Sequence, residues 1–309
     1  MPENHTKFLI TIIGPTAIGK TALAIEIAKH FRCEILSCDS RQFFSEMTIG
    51  TAVPTEEELN SVKHHFIHHK SIFDRYNVGD YEKDAISTLE TLFIKNDYVV
   101  LVGGSGLYID AILNGIDEFP EADASVRLKL AENYKKHGIS YLQNELKKFD
   151  PGYFEAVDTE NPNRMMRALE VSISSGRPYS SFLNLKKTTR DFIPIIIGLT
   201  TEREIIYDRI NIRVDLMMEA GLEKEARGLY PQKALNALQT VGYRELFAYF
   251  DGDITLDFAI SEIKKNTRRF AKRQLTWFKK NPDVKWFDYR NPADEIIAFI
   301  KSATSKYIV

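Results

Sequence analysis

Short apolar runs alternate along the chain with longer segments in which apolar residues recur at helical spacing. Four of these runs are typical of buried strands: Phe8–Ile13, Glu34–Cys38, Tyr98–Val102 and Ile193–Leu199. Helices are predicted after the first two, at Thr21–His30 and Tyr81–Lys95. Because strands that alternate with helices form a parallel sheet covered on both faces, the pattern predicts an α/β fold.

The stretch from about Pro120 to Tyr179 has a different pattern. It holds no apolar strand run, is charged, and is interrupted by Pro151–Gly152 and Gly176–Pro178. We therefore predict a helical insertion at 120–179 within an α/β core formed by 1–119 and 180–309. The part of the core from Thr201 to Lys280 is again predicted to be mostly helical.

The composition of the chain argues against several classes of protein. The chain has 309 residues with 44% hydrophobic content, enough for a sizeable core. Cys33 and Cys38 are its two cysteines, which predicts neither a zinc module nor a disulfide scaffold. No apolar run approaches the roughly 20 residues of a membrane span, and no signal peptide is apparent. A soluble, cytoplasmic protein without membrane contact is expected.

Between the first strand and the first helix lies the segment GPTAIGKT, which fits the pattern G-x-x-x-x-G-K-[ST]. Glycines let backbone N–H groups converge on phosphate oxygens, and the helix N-terminus adds positive potential. The lysine adds a full charge, and the threonine hydroxyl can bind Mg²⁺. The predicted phosphate-binding residues are Gly14, Pro15, Thr16, Ala17, Ile18, Gly19, Lys20 and Thr21, with Thr21 as the metal ligand.

The acidic residue near this loop is at an unusual place. Nucleotide hydrolases hold their metal with an aspartate at a strand end, but the strand Tyr98–Val102 ends in Gly103-Gly104-Ser105-Gly106. Asp39, after the second strand, is the nearby acid instead. It is suited to accept a proton from an acceptor, and a helix cap or a residue that orients a metal ligand is the alternative interpretation.

Seven segments in this order resemble the tRNA dimethylallyltransferase family, also called isopentenyltransferases, in its bacterial type without a zinc finger. They are Gly14–Thr21, Ser37–Gln42, Ile49–Pro54, Val102–Tyr108, Asn163–Val171, Thr240–Arg244 and Thr267–Trp277. The resemblance implies a P-loop NTPase-like parallel sheet core with a helical insertion domain.

The resemblance also implies a reaction. A dimethylallyl group would pass from dimethylallyl diphosphate to N6 of the adenosine on the 3′ side of the tRNA anticodon, position 37, with Mg²⁺ as cofactor. Asp39 matches the general base, Ser105 a residue that contacts donor or adenine, and Arg213 a diphosphate ligand. Arg209 shares the helix face of Arg213 and is either a further ligand or a solvated ion-pair partner.

Two positions depart from the family pattern. Ile18 replaces a small or polar residue of the loop, and Arg41 replaces a methionine or similar residue. Neither change removes a donor or an acid that the chemistry needs, but Arg41 alters the expected shape of the adenine pocket.

Contacts with the tRNA anticodon stem-loop are expected from segments that match the family and from one basic helix face. The residues are Asp39, Ser40, Arg41, Gln42, Ser105, Asn163, Arg164, Met165, Met166, Arg167, Thr240, Val241, Gly242, Tyr243, Arg244, Arg269 and Lys272. The basic face belongs to 263–280, which holds no acid; a solvated face is the alternative. Phe270 and Trp277 are expected to face the core, with base stacking as the alternative for Trp277.

These features have other interpretations. A metal site at His64, His65, His68 and His69 is rejected, because adjacent histidines do not converge on one ion. The alternative functions are prenylation of free adenine nucleotides, a small-molecule kinase with ATP in the loop, and a non-catalytic tRNA-binding or nucleotide-switch protein. A monomer is expected.

Overall fold

A six-stranded parallel sheet forms the centre of the fold. The computed structural model describes residues 6–183 and 189–307. The strands are β1 (Phe8–Ile13), β2 (Ile35–Cys38), β3 (His64–His65), β4 (Tyr98–Gly103), β5 (Ile193–Thr200) and β6 (Lys285–Asp288). Their order is β3-β2-β4-β1-β5-β6, and every pairing is parallel. The predicted α/β parallel-sheet fold is therefore confirmed.

Helices cover both faces of this sheet. The helices of the first half are α1 (Lys20–Phe31), α2 (Glu56–Ser61), α3 (Val78–Phe93) and α4 (Gly106–Asn114). Those of the second half are α9 (Arg203–Glu219), α10 (Leu222–Leu229), α11 (Tyr243–Phe250), α12 (Leu256–Phe278) and α13 (Ala293–Ser305), after four helices of a separate unit that are given below. Short 3₁₀ helices lie at Tyr179–Phe182, Tyr230–Gln232 and Asn236–Leu238.

The alternation of side chains along β1 places one core on each face of the sheet. Ile10 and Ile12 pack with buried residues of α1, α9 and α13, whereas Leu9 and Ile13 pack with those of α3 and α4. All six residues of β1 are buried, as expected for a central strand. A third apolar cluster joins α10, α11 and α12 beside the carboxyl ends of the strands, where Tyr243 and Ile263 meet.

The chain divides into two compact units. Residues 1–113 and 190–309 form the first, and Asn114–Thr189 form the second. The second unit contains α5 (Ala124–His137), α6 (Ile139–Phe149), α7 (Pro151–Ala156) and α8 (Pro162–Ser175), packed around Leu142, Leu146 and Leu169. The predicted insertion, 120–179, lies within this unit and is helical.

Two of the strands, β3 and β6, were not predicted from the sequence. β3 is two residues long and consists of histidines, and β6 has the sequence Lys-Trp-Phe-Asp at the opposite edge of the sheet. Both are short edge strands, which lack the run of buried residues by which a central strand is recognised.

Candidate active site

The loops that follow β1, β2 and β4 lie together, because the carboxyl ends of parallel strands share one edge of a sheet. The β1 loop, Gly14–Gly19, takes positive φ at Gly14, Ala17 and Gly19. At Gly14 a Cβ atom would lie 2.6 Å from the carbonyl oxygen of Leu199, so the loop requires glycine there. The turn delivers the chain into the N-terminus of α1, where backbone N–H groups have no helical partner.

Lys20 lies at the start of α1 and reaches back across this loop. Its Nζ donates to the carbonyl oxygen of Pro15 at 2.8 Å. Burial, assisted by the neighbouring Arg213 guanidinium, lowers the pKa of Lys20 to about 7, against the opposing effect of Asp39. Ile18 is buried in the core, so the departure noted at this position places no side chain in the loop's concave face.

Asp39 follows β2 directly and is partly exposed. Its Oδ1 accepts the backbone N–H of Arg41 at 3.0 Å, and no hydrogen bond to Oδ2 forms within the described residues. The backbone N–H of Ser40 donates to the Ser105 hydroxyl at 3.1 Å, which joins the β2 loop to the β4 loop. The aspartate is thus held by its neighbours with one carboxylate oxygen free.

Two cavities meet at Asp39. The first chamber, about 470 Å³, is lined by loop residues including Thr16, Lys20 and Thr21. The second chamber, about 330 Å³, is lined by Arg41, Arg244 and other residues. The wall that the two share consists of Thr16, Asp39, Thr51, Ala52, Arg213 and Phe270.

Two arginines of α9 bring positive charge to the first chamber. Nη1 of Arg213 donates to the Thr16 hydroxyl at 3.4 Å, and burial lowers the pKa of Arg213. Nε of Arg209 donates to the carbonyl oxygen of Ala17 at 2.8 Å, and its guanidinium lies 4.9 Å from the centre of the Tyr289 ring. Arg209 therefore lines the first chamber beside Arg213.

Three residues that line the first chamber were not predicted as site residues from the sequence. Gln274 of α12 accepts the Thr16 N–H at 2.9 Å and donates to the Gly104 carbonyl oxygen at 2.8 Å. His64 lines the first chamber, and its buried Nε2 has no hydrogen bond within the described residues. The expectation that Phe270 faces the core was wrong, because its ring is 38% exposed and stands in the shared wall.

The histidine-rich segment is divided among separate contacts. Nε2 of His65 lies 2.6 Å from Glu34, and the ring of His69 packs edge-on against Phe43 and Tyr76. Within residues 6–183 and 189–307, no three His, Cys, Asp or Glu side chains are grouped as metal ligands. Among these residues no helix is long and apolar enough to cross a membrane.

The second chamber collects residues predicted to meet tRNA. Ser40, Arg41, Ser105, Thr240, Val241, Gly242 and Arg244 line it. Arg41 donates from Nη1 to the carbonyl oxygens of Asn236 and Ala237, both at 3.1 Å, so the unusual arginine ties the β2 loop to the opposite wall. Gln42 is held by protein groups: its Nε2 donates to the carbonyl oxygens of Thr51 and Ala52.

Helix α12 carries the predicted basic face. Arg269 and Lys272 are exposed, whereas Lys265 pairs with Glu262 at 2.8 Å. Trp277 was also expected in the core, but it is 37% exposed and donates from Nε1 to Asp110 at 2.8 Å. The indole packs closely against the β4 loop, because a Cβ atom at Gly106 would lie 2.5 Å from its ring.

In the second unit, α8 carries the remaining predicted contacts. Asn163, Arg164 and Arg167 are exposed, and Met166 is half-buried. Met165 is completely buried in the core of that unit, as Tyr243 is in the first unit. Direct contact of these two side chains with tRNA is therefore not compatible with the structure, since each is enclosed by apolar neighbours.

Comparison with known proteins shows the family to which this chain belongs. The family model described as IPP transferase matches residues 42–281, more than half of the chain. The chain is 67% identical to the tRNA dimethylallyltransferase of Flavobacterium johnsoniae over 95% of its length and 97% of the relative's. It is 58% identical to that of Flavobacterium psychrophilum, with 96% and 98% covered.

A solved structure gives the same result. The full-length tRNA isopentenylpyrophosphate transferase from Bacillus halodurans is 36% identical, covers 97% of this chain and 96% of its own, and superposes with a TM-score of 0.70. The chain is an enzyme that belongs to the IPP transferase family.

Proposed function

We propose that this enzyme transfers a dimethylallyl group from dimethylallyl diphosphate to N6 of the adenosine at position 37 of tRNA, next to the anticodon on its 3′ side. The observation that carries the proposal is the position of Asp39 in the wall between two chambers. A phosphate-type loop lines one chamber and arginines line the other. A proton acceptor at their junction suits a transfer in which donor and acceptor approach from opposite sides.

The first chamber would hold the donor diphosphate. Backbone N–H groups of Ala17–Thr21, Lys20 and Arg213 supply hydrogen bonds and positive charge for its oxygens. Charge builds on the diphosphate as its bond to the prenyl carbon breaks, so these groups stabilise the leaving group most at that moment. Ile212, Leu216 and Phe270 give the chamber an apolar side suited to the prenyl chain.

Mg²⁺ fits the same chamber. Thr21 and Asp39 both line it with oxygen atoms, and Mg²⁺ typically takes one or two protein oxygens together with phosphate oxygens and waters. We infer that the Thr21 hydroxyl would hold the ion. When bound, Mg²⁺ supplies positive charge that neutralises the diphosphate.

The second chamber would receive the adenine. N6 is a weak nucleophile because its lone pair is delocalised into the ring, so it needs a proton acceptor and an aligned electrophile. As the N6–C bond forms, the C–O bond to diphosphate breaks, and the N6 proton passes to Asp39. The free Oδ2 of that carboxylate is suited to accept it. An enzyme that acts on a base must take the base out of its stack, and the second chamber supports such binding.

Contacts outside the chambers would hold the RNA. Arg269 and Lys272 present exposed positive charge on the first unit, and Arg164 and Arg167 do so on the second. Phosphate contacts of this kind set affinity and register without reading the sequence. The net charge of −2 makes such local patches the source of attraction.

The test uses purified protein with Mg²⁺, dimethylallyl diphosphate and unmodified tRNA that carries adenosine beside the anticodon. A parallel reaction contains adenosine monophosphate. After digestion, mass spectrometry should find adenosine heavier by one prenyl group in the tRNA reaction alone. The Asp39→Asn variant, which keeps the acceptor at Oδ1, should bind tRNA and make no product.

Other results of this test would indicate a different function or a different base. Product with the free nucleotide alone would indicate a nucleotide prenyltransferase. No product in either reaction, with an authentic tRNA prenyltransferase active in parallel, would refute the proposal and direct attention to ATP as the ligand of the loop. An Asp39→Asn variant with full activity would exclude Asp39 as the base.

A further inference from the structure

Glu225 of α10 binds a loop from a distant part of the chain. Its Oε2 accepts the backbone N–H groups of Thr48 and Ile49 at 3.1 and 2.8 Å. Its Oε1 accepts the N–H of Gly50 at 2.9 Å and the Tyr243 hydroxyl at 2.7 Å. Each carboxylate oxygen thus receives two donors, and charge-assisted bonds of this type are stronger than neutral ones.

Tyr243 also holds this loop in place. It is fully buried, and its ring packs against Gly50, where a Cβ atom would lie 2.6 Å from the ring. Burial, and next the charge and hydrogen bond of Glu225, raise the pKa of Tyr243 far above its usual range. The hydroxyl therefore stays protonated and donates to Glu225 at every pH of interest.

The loop held in this way supplies part of the wall between the chambers. We define the wall loop as Thr48–Ala52; Thr51 and Ala52 line both chambers. The carbonyl oxygens of these two residues accept Nε2 of Gln42 at 3.2 and 3.0 Å. Ala52 takes a φ of +50°, so the loop has a particular conformation that its neighbours must maintain.

The contacts continue from Gln42 to Asp39. The backbone N–H of Gln42 donates to the carbonyl oxygen of Asp39 at 3.1 Å, and the Ser37 hydroxyl donates to Oε1 of Gln42 at 3.2 Å. A displacement of the wall loop would therefore be transmitted to Gln42 and to the turn that presents the Asp39 carboxylate.

We propose that Glu225 is a positioning residue, which holds the wall loop and, through Gln42, sets the place of Asp39 between donor and acceptor. The proposal rests on the function proposed above. Glu225 itself does not line either chamber, so it acts on the reaction through the loop. Donor binding by the β1 loop should be insensitive to Glu225, whereas the transfer step should depend on it.

The experiment compares Glu225→Gln and Glu225→Leu with Glu223→Gln. Glu223 lies on the same helix and pairs with Arg227, and within the described residues no hydrogen bond or ion pair joins it to the wall loop. Gln keeps one acceptor oxygen and Leu keeps none, so activity should fall in that order. We expect kcat for tRNA prenylation to fall about tenfold in Gln and about a hundredfold in Leu, the scale of a small misplacement of reacting groups.

A second measurement separates positioning from loss of fold. Titration of each variant with inorganic diphosphate and Mg²⁺ gives the fraction of molecules with an intact first chamber. We expect this stoichiometry and affinity to match the wild-type protein in all three variants. A kcat that falls only in proportion to the binding-competent fraction would overturn the inference, because Glu225 would then serve folding alone.

The remaining outcomes are distinct. Unchanged kcat in Glu225→Leu would overturn the inference and leave the proposed function intact. An equal loss in Glu223→Gln would also overturn it, since the effect would belong to the helix surface. If the wild-type protein makes no prenylated tRNA, the proposed function fails, and the inference fails with it.

Discussion

Lys20 donates a hydrogen bond to the carbonyl oxygen of Pro15, five positions earlier in the chain and near the start of the β1 loop. The contact holds the ammonium group over the concave face of the loop. The pKa of Lys20, about 7 instead of the usual 10.5, means that positive charge at this position is unfavourable until an anion arrives.

A pH dependence of diphosphate binding follows from this. Bound diphosphate favours the charged lysine, so binding above pH 7 must be accompanied by proton uptake. The affinity for inorganic diphosphate should therefore fall as pH rises above 7, by at most about tenfold per pH unit. Calorimetry in buffers of different ionisation enthalpy measures the uptake; Lys20→Met should bind more weakly and lose this uptake. A wild-type affinity that is constant from pH 7 to 9 would contradict the assignment.

The same pKa affects stability, with a definite sign. Between about pH 7 and 10.5 the unfolded chain keeps a proton on Lys20 that the folded chain has lost. The contribution of Lys20 to the free energy of unfolding therefore increases as pH rises through this window. Denaturant titrations should show that the free energy of unfolding of the wild-type protein rises in this pH window relative to that of Lys20→Met.

Gln274 joins the β1 loop to the β4 loop, and its removal should affect both binding and stability. Gln274→Leu leaves the Thr16 N–H and the Gly104 carbonyl oxygen without their partner, at a cost of about 1–3 kcal/mol each where buried. Diphosphate affinity should fall because the loop loses its support. Gln143→Leu, in the second unit, is the control and should leave diphosphate binding unchanged.

Phe270 closes the shared wall with an apolar ring, and Phe270→Ala should open one chamber to the other. We expect slower transfer and faster hydrolysis of dimethylallyl diphosphate without tRNA, because water can then reach the donor carbon. Release of diphosphate without prenylated RNA measures this loss. The matched control is Phe258→Ala, an exposed phenylalanine of the same helix. Wild-type coupling in Phe270→Ala would show that the ring does not exclude water.

The exposed cations of α12 should determine the salt dependence of RNA binding. Arg269→Glu with Lys272→Glu should weaken tRNA binding and reduce the slope of log affinity against log salt by about 1–2. Lys301→Glu with Lys306→Glu, which reverses two exposed lysines near the C-terminal end of α13, controls for net charge. A slope equal to that of the wild-type protein would assign this face to solvent.

Arg190 is the first residue of the second chain segment of the first unit, and its side chain anchors that segment. It donates to the carbonyl oxygens of Ala111 and Ile112 at the end of α4 and pairs with Glu82 of α3. Arg190→Ala leaves a mostly buried carboxylate and two carbonyls unpaired, so the free energy of unfolding should fall by about 2–4 kcal/mol. Arg290→Ala removes an exposed arginine and should change it little. Urea denaturation measures both.

The central strands of the fold could be predicted from the sequence alone. β1, β2, β4 and β5 were predicted because central parallel strands are continuous apolar runs, and the loop before α1 has a motif that specifies its own geometry. Asp39 could be placed because it follows a predicted strand directly. The edge strands β3 and β6 could not, since they are short and carry His or Lys.

Other features depend on contacts between remote segments and have no local signal. The spacing of Phe270 in α12 suits a core position, yet the residue faces a cavity because Gln274 holds the helix against glycines of the β4 loop. Glu225 has the pattern of an ordinary surface glutamate, and its four donors come from residues 18 to 177 positions away. Tyr243 lies within a segment of the family pattern, but only the structure shows that it is buried.

The bond between Gln274 and Thr16 spans 258 positions of the chain. During translation the phosphate-type loop is made early, while the residue that holds it is among the last segments to leave the ribosome. A nascent chain would therefore carry the loop without its support, and with the wall at Phe270 missing, through most of its synthesis. Diphosphate binding by the loop should therefore reach its full strength only once α12 has been synthesised and Gln274 can accept the Thr16 N–H.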